Sequence, residues 1–204
     1  MSVLVDKMLK ASEAFNQLRL FQLETLRVVG LDLSLTSTGM SDGAQQWAVQ
    51  TGPKFCLEER LDTIVRSVVR FTVGSGGDDQ TDLVVIEAPA FSRQGPGHEE
   101  LSALRVMVRH RMWRLKIPYA LVPPTTLKKY TTGSGTASKS QIAVCVADMG
   151  GWDPNDVKVS HGRYDLVDAR ALAAMGYDWA GQPIAEAVCR DSLDAVKWPQ
   201  LLSD

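Results

Sequence analysis

Apolar residues run almost unbroken through Val28-Val29-Gly30-Leu31-Asp32-Leu33, and again through Leu83-Val84-Val85-Ile86 before Glu87. Such short runs, bounded by turn-forming residues, predict strands over 27–35 and 82–87 that are covered on both faces. The stretch 34–43 is rich in Ser, Thr and Gly and suits a tight turn into a second strand. A third strand is predicted over 46–51, so the chain opens as an antiparallel meander. From 57 to 73 the period lengthens, with Leu61, Ile64, Val65, Val68 and Val69 at helical spacing, and Gly74-Ser75-Gly76-Gly77 ends that helix.

Beyond strand four, a loop over 88–97 leads into a helix over 99–116, then a fifth strand over 119–122. Pro123-Pro124 starts a short helix carrying Leu127, Lys128 and Lys129. A Gly/Ser/Thr loop over 131–138 precedes a helix over 139–149. The last predicted helix runs through Asp165 and Asp168 to near Trp179. The order predicts an α/β domain with a five-stranded mixed sheet, antiparallel at first and parallel later, flanked by helices. Residues 1–26 read as an added N-terminal helix, with Met8, Leu9, Phe15, Leu18 and Leu23 as apolar contacts. Residues 27–180 form the domain, and 181–204 is a weakly patterned tail.

Four acids stand where this pattern would not put them. Asp32 interrupts one apolar strand, Glu87 ends another, and Asp165 and Asp168 sit three apart in Asp-Leu-Val-Asp-Ala-Arg-Ala-Leu-Ala. A lone ionised carboxylate on a buried strand is costly unless paired or metal-bound. Converging carboxylates also raise one another's pKa. A hard divalent cation relieves both problems, because Mg²⁺ prefers oxygen ligands. With Asp32 and Glu87 on adjacent central strands, and Asp165 and Asp168 on one side of a helix packed on the sheet, all four can meet.

Composition narrows the partners. At 204 residues with a net charge of -2, the chain has no overall basic character. Yet residues 90–147 hold nine Lys and Arg against two acids, a net of +7, while the remainder carries 13 basic and 22 acidic residues, a net of -9. Such segregation marks a surface for an anion, plausibly a phosphate backbone; the arginines of 105–114 would equally serve to solvate one helix face. Cys56, Cys145 and Cys189 match no zinc spacing and read as small buried hydrophobes in a reducing cell. No run reaches the roughly 18 apolar residues of a membrane span, and the N-terminus lacks the layout of a secretion signal, so the expected location is cytoplasmic.

Taken together, the motifs resemble those of the RuvC-type Holliday junction resolvases, in the RNase H-like superfamily. Gly30-Leu31-Asp32 with its turn to Gly39 is similar to that family's first strand, and Ile86-Glu87 to its second acid. Gly133-Ser134-Gly135-Thr136-Ala137-Ser138-Lys139-Ser140-Gln141 is close to its Gly-x-Gly-x-x-x-Lys-Ser-Gln stretch. The segment from Asp165 to Ala173 matches its terminal Asp-x-x-Asp-Ala-x-Ala-Leu-Ala. The resemblance implies an RNase H-like fold, with Asp32, Glu87, Asp165 and Asp168 as metal ligands and Lys139 near the scissile phosphate. It makes Lys128 a second DNA-contacting lysine and sets Phe91 within one position of an aromatic that stacks on junction bases. Arg93 and Lys129 are further candidates for DNA contact. Leu33-Ser34 replaces the family's usual Pro-Gly, and the helix 1–26 and the tail have no counterpart in typical cellular members. These departures resemble a bacteriophage branch, which would act in the cytoplasm of a bacterial host.

The implied chemistry is hydrolysis of a DNA phosphodiester by water, leaving a 5′-phosphate and a 3′-hydroxyl. Two Mg²⁺ ions, ~4 Å apart and replaceable by Mn²⁺, would clamp the phosphate, with Asp32 as the bridging ligand. His161, four residues before Asp165, could orient water or a ligand, or simply border the helix; His98 and His110 read as surface residues. A homodimer is implied, its interface on the helix 99–116 through Leu101, Leu104, Met107 and Val108. Alternatives are a nuclease for forks and flaps, a non-catalytic DNA-binding module, and an actin- or sugar-kinase-like ATPase. The span Gly30–Gly39 resembles the first phosphate loop of those ATPases, but they need two such domains, for which 204 residues leave no room. Four intact acids argue against the non-catalytic module.

Overall fold

A computed structural model of the chain describes residues 26–74, 81–89 and 97–199. The predicted helix over 1–26, save its last residue, lies outside the described residues, as do Phe91 and Arg93. Five strands form one mixed sheet: β1 (Val28–Asp32), β2 (Ser37–Ser41), β3 (Gln46–Gln50), β4 (Leu83–Glu87) and β5 (Tyr119–Val122), in the order β3-β2-β1-β4-β5. β1 pairs antiparallel with β2 and parallel with β4, and β4 pairs parallel with β5. Among the described residues five α-helices flank it: α1 (Leu57–Val73), α2 (His98–Arg114), α3 (Pro124–Thr132), α4 (Lys139–Asp148) and α5 (Arg163–Trp179).

Side chains alternate across a sheet, and the two faces bury separate cores. Val28, Leu83, Val85 and Val122 pack under α5 with Val167, Ala171, Leu172 and Met175. Val29, Leu31, Val84 and Ile86 pack on the other face against Ile64 and Val68 of α1 and Leu104 and Val108 of α2. Asp32 follows Val28 and Gly30 in that alternation, and Glu87 follows Leu83 and Val85. Both acids therefore belong to the α5 face, at strand ends one step beyond the pair Leu31–Ile86.

At Gly30 and Gly39, glycine lets α5 lie against this face without side chains between. A Cβ on Gly30 would overlap the carbonyl oxygen of Ala169 and stand 2.5 Å from the amide nitrogen of Ala173. One on Gly39 would overlap the backbone of Asp165 itself, and one on Gly176 would meet Val28 and Val85 at 2.6 and 2.7 Å. The helix that carries two acids is thus seated on the strand that carries a third.

Residues 181–199 pack on the domain despite their weak pattern. The amides of Val188 and Cys189 donate to the carbonyl of Tyr130 at 3.1 and 3.2 Å, and Leu193 and Val196 join the α5-side core. Trp198 stacks on Trp179 at 4.8 Å, and Lys197 bridges the edge strand at Leu121. Buried Asp178 anchors this segment by accepting from Arg190 at 2.7 Å and from the Tyr130 hydroxyl at 3.3 Å. The cysteines are free, but Cys56 is exposed at the start of α1 and the other two are only half-buried, so the expectation of three buried hydrophobes is corrected. Cys56 sits in a capping box with Glu59, which holds it at the surface. Among the described residues no helix is long and apolar enough to cross a membrane.

The seating of α5 yields a stability prediction. Gly30→Ala forces a methyl into helix backbone and is expected to cost about 3 kcal/mol or more, whereas Gly52→Ala, with no atom within 4 Å of the new Cβ, should stay within about 0.5 kcal/mol. Urea unfolding of the two variants measures the difference, and equal midpoints would show that α5 is not closely seated.

Candidate active site

The strand ends and the first two turns of α5 bring the acids together. Asp32 and Asp168 are each only 8% exposed, while Glu87 and Asp165 are half-buried. α5 starts after Gly162, whose left-handed backbone (φ 83°) ends the short 3-10 turn Val159–His161. Asp165 and Asp168 then fall on one side of the first turns, as their spacing requires.

Lys139 enters from α4. Ser138 and Gln141 form a capping box there, with the Gln141 amide donating to Ser138 Oγ at 3.3 Å and the Ser138 amide donating to Gln141 Oε1 at 2.9 Å. That box makes Lys139 the first residue of α4. Its Nζ lies 5.7 Å from the centre of the Tyr164 ring, beside the N-terminus of α5. Lys128 lies on α3, which begins at Pro124 and ends at Gly133 with a left-handed cap (φ 77°).

The charges feel one another. Burial first, then Glu87, Asp168 and Asp165, push the Asp32 carboxyl well above its ordinary range, against the pull of Lys139. Asp168 is pushed up to about 7, by burial first and then chiefly by Glu87 and Asp165, while Lys139 and Lys128 oppose the shift. The four acids and two lysines of the sequence reading therefore share one neighbourhood. Lys129 is exposed on α3, and His161 is exposed at the border of α5.

Every carboxylate is a hard oxygen donor, and the repulsion that raises Asp32 and Asp168 is what a divalent cation would relieve. The donor set fits Mg²⁺ or Mn²⁺ in chemistry and charge. Among the described residues no three His, Cys, Asp or Glu side chains are gathered closely enough to hold a metal ion, so ion binding would require the acids to draw in.

Three further residues, Arg105, Ser37 and Tyr164, border the site without a signal in the local sequence. Arg105 of α2 is half-buried, and its guanidinium feels Glu87 and then Asp32, which oppose the lowering of its pKa by burial. Ser37 Oγ is buried with no hydrogen-bond partner, and the Cβ position of Gly162 lies near both it and Asp165 Oδ2. Tyr164 underlies Lys139. Arg105 was visible only as one of several basic residues, since nothing in a single helix's pattern says which arginine faces the strand ends. Of the residues expected at a dimer interface, Leu104 and Val108 are instead buried against the chain's own sheet. Val106, Met107 and Trp113 are the apolar side chains that α2 exposes.

A five-stranded mixed sheet with this order, flanked by helices on both faces, is the RNase H-like fold. Two solved structures of Thermus thermophilus RuvC share it. One has a TM-score of 0.59 at 22% identity, and the other, in complex with a Holliday junction substrate, 0.61 at 21%. Each alignment covers 80% of this chain and all of the RuvC chain. No family model matches the sequence, and no curated protein matches it.

The raised Asp168 carboxyl has a definite sign in pH. Its folded value of about 7 exceeds the ordinary 3.8, so between those values the folded state binds the extra proton. The stability it contributes is complete below about pH 4 and declines as pH rises towards 7; Asp32, shifted the same way, adds to the trend. Without divalent ions, Asp168→Asn should raise the melting temperature at pH 8 more than at pH 5, and Mg²⁺ should raise that of the wild type at pH 8. Thermal melts at the two pH values test this; an Asn variant that parallels the wild type would remove Asp168 from the strained set.

Proposed function

We propose that this chain is a metal-dependent endonuclease that resolves four-way DNA junctions by paired phosphodiester hydrolysis, acting as a homodimer. The observation that carries the reading is the convergence of Asp32, Glu87, Asp165 and Asp168 at one end of the sheet, with Lys139 and Lys128 close enough to lower the pKa of Asp168. The RNase H-like fold shared with Thermus RuvC, one structure of which holds a Holliday junction, supports it. Fold alone does not assign activity; the buried acids support the nuclease reading, because a chain without a use for them would not keep their mutual repulsion.

Asp32, Glu87, Asp165 and Asp168 would hold Mg²⁺, with Asp32, on the central strand, best placed to be shared between two ions. The bound ions would activate water and offset charge on the phosphate. Lys139 brings a positive charge to the same phosphate, where it stabilises the negative charge that develops in the transition state. Lys128, set one helix earlier, holds the backbone that leads to the site. A junction has two-fold symmetry, and a C₂ dimer would present two such sites to opposed strands. Met107 and Trp113 offer α2 an apolar surface for that contact. Activity on forks and flaps is the alternative within the same chemistry. An ATPase of the actin or sugar-kinase kind fits less well, since the described residues hold one such sheet.

Two outcomes follow. Asp32→Asn keeps the shape but removes a charge, so cleavage of a four-way junction in Mg²⁺ should fall by orders of magnitude while binding survives or tightens; wild-type cutting by this variant sinks the site. A panel of four-way, three-way, flap and linear DNA then separates a strict resolvase from a broader nuclease.

The lysines should separate by role. Lys128→Ala and Lys139→Ala should each lower the log-log salt slope of junction binding by about one, similarly for junctions of different sequence. Lys139→Ala should also slow cleavage at saturating DNA. Unchanged slopes in both variants, or tight ATP binding by the wild type, would overturn the nuclease reading.

A further inference from the structure

Across the sheet from α5, a cleft of about 140 Å³ opens between α2 and the ends of β4 and β5. Its polar lining is Glu87, Ser102, Arg105 and Arg109, and its apolar lining is Ile86, Pro89, Val106 and Leu121. We propose that this cleft is an anion subsite, in which Arg105 and Arg109 hold a DNA phosphodiester neighbouring the one presented to the carboxylates. The proposal rests on the nuclease reading and extends it to the opposite face of the sheet.

Arg105 makes no hydrogen bond or ion pair among the described residues, and its Nε is buried without an acceptor. Buried polar groups are nearly always satisfied, so an unsatisfied guanidinium nitrogen marks an interaction still to be made. Ser102 already donates its hydroxyl to the His98 carbonyl at 2.7 Å, and Arg109 is steadied by Tyr119, donating from Nε to the hydroxyl at 3.3 Å while lying over the ring. Two guanidinium groups beside one cleft suit a phosphate, which accepts the parallel hydrogen bonds of an arginine fork. The volume is several times the ~30 Å³ share of one water, enough for a phosphate group.

Position makes DNA the favoured source of that anion. Glu87 lines the cleft and also belongs to the acid cluster, so the two sites adjoin around the end of β4. Glu87 and Asp32 support the charge of Arg105 against its burial. Cations taken up by the acids would cancel that support, and an anion in the cleft would replace it.

The test uses the full-length protein and four-way junctions in which single uncharged methylphosphonate linkages are stepped through the nucleotides flanking the cut, with binding followed by fluorescence anisotropy in EDTA. The wild type should lose about tenfold in affinity at one linkage beside the cut, the size of one charge-assisted hydrogen bond. Arg105→Gln should bind the unmodified junction about tenfold more weakly and be indifferent to that linkage. Arg105→Lys, which keeps the charge and provides a second variant should the first not fold, should keep the salt slope with intermediate affinity. An Arg105→Gln profile identical to that of the wild type, or a wild type insensitive at every flanking linkage, overturns the subsite. So does a change of oligomeric state in light scattering with an unchanged profile, which would give the cleft to a second copy of the chain. Wild-type protein that neither binds nor cuts branched DNA would fell the nuclease reading and this subsite together. Wild-type cutting with an unaltered variant profile would fell the subsite alone.

Discussion

The site depends on backbone meeting backbone. Gly30 on the central strand and Gly39 on its neighbour leave no side chain between the sheet and α5, so the helix settles with Ala169 and Asp165 in contact with those strands. An ordinary helix-on-sheet packing keeps a layer of side chains between the two. Here that layer is missing where the acids must converge, and the first turns of α5 reach strand ends that carry Asp32 and Glu87. Gly176, less than one turn before the helix ends, makes room instead for the side chains of Val28 and Val85. Close approach at both ends sets the helix direction as well as its distance.

That closeness has an electrostatic cost, and it falls on the folded state. Asp32 and Asp168 are buried among other carboxylates, and both are pushed towards the protonated form. Lys139 and Lys128 offset part of the repulsion from one side, and Arg105 sits near Glu87 and Asp32 from across the sheet. Burial beneath α5, α1 and α2 supplies the stability that the acid cluster takes away. A ligand that binds only the folded chain and neutralises these acids would stabilise it in turn.

Most of the frame was legible because each signal was local. The β1 and β4 runs, the amphipathic spacing of 57–73 and the Pro-Pro start of α3 each name their element without help from the rest of the chain. The acids were legible for the opposite reason, since each violates its local pattern. What was not legible depended on contacts between distant segments. The tail after 180 has little periodicity because it is held by single attachments, such as Arg190 to Asp178 and Trp198 on Trp179, rather than by a repeating face. Leu104 and Val108 were expected at an interface by family resemblance, yet the side that α2 turns to its own sheet is set by the crossover from β4 to β5, which a local pattern does not contain.

Arg105 shows the same limit at the site itself. In sequence it is one of four arginines between 105 and 114, and a helix with charge on several sides offers no reason to prefer it. In the fold, parity decides. α2 covers the face opposite α5, but β4 ends at Glu87, and beyond a strand end the two faces are no longer separated by backbone. A side chain from the back layer can then act on a carboxylate of the front layer, as the influence of Glu87 and Asp32 on Arg105 requires. The end of β4 is thus where the two layers meet. A strand of DNA laid over that end would find lysines on one side and arginines on the other, with the acids between them.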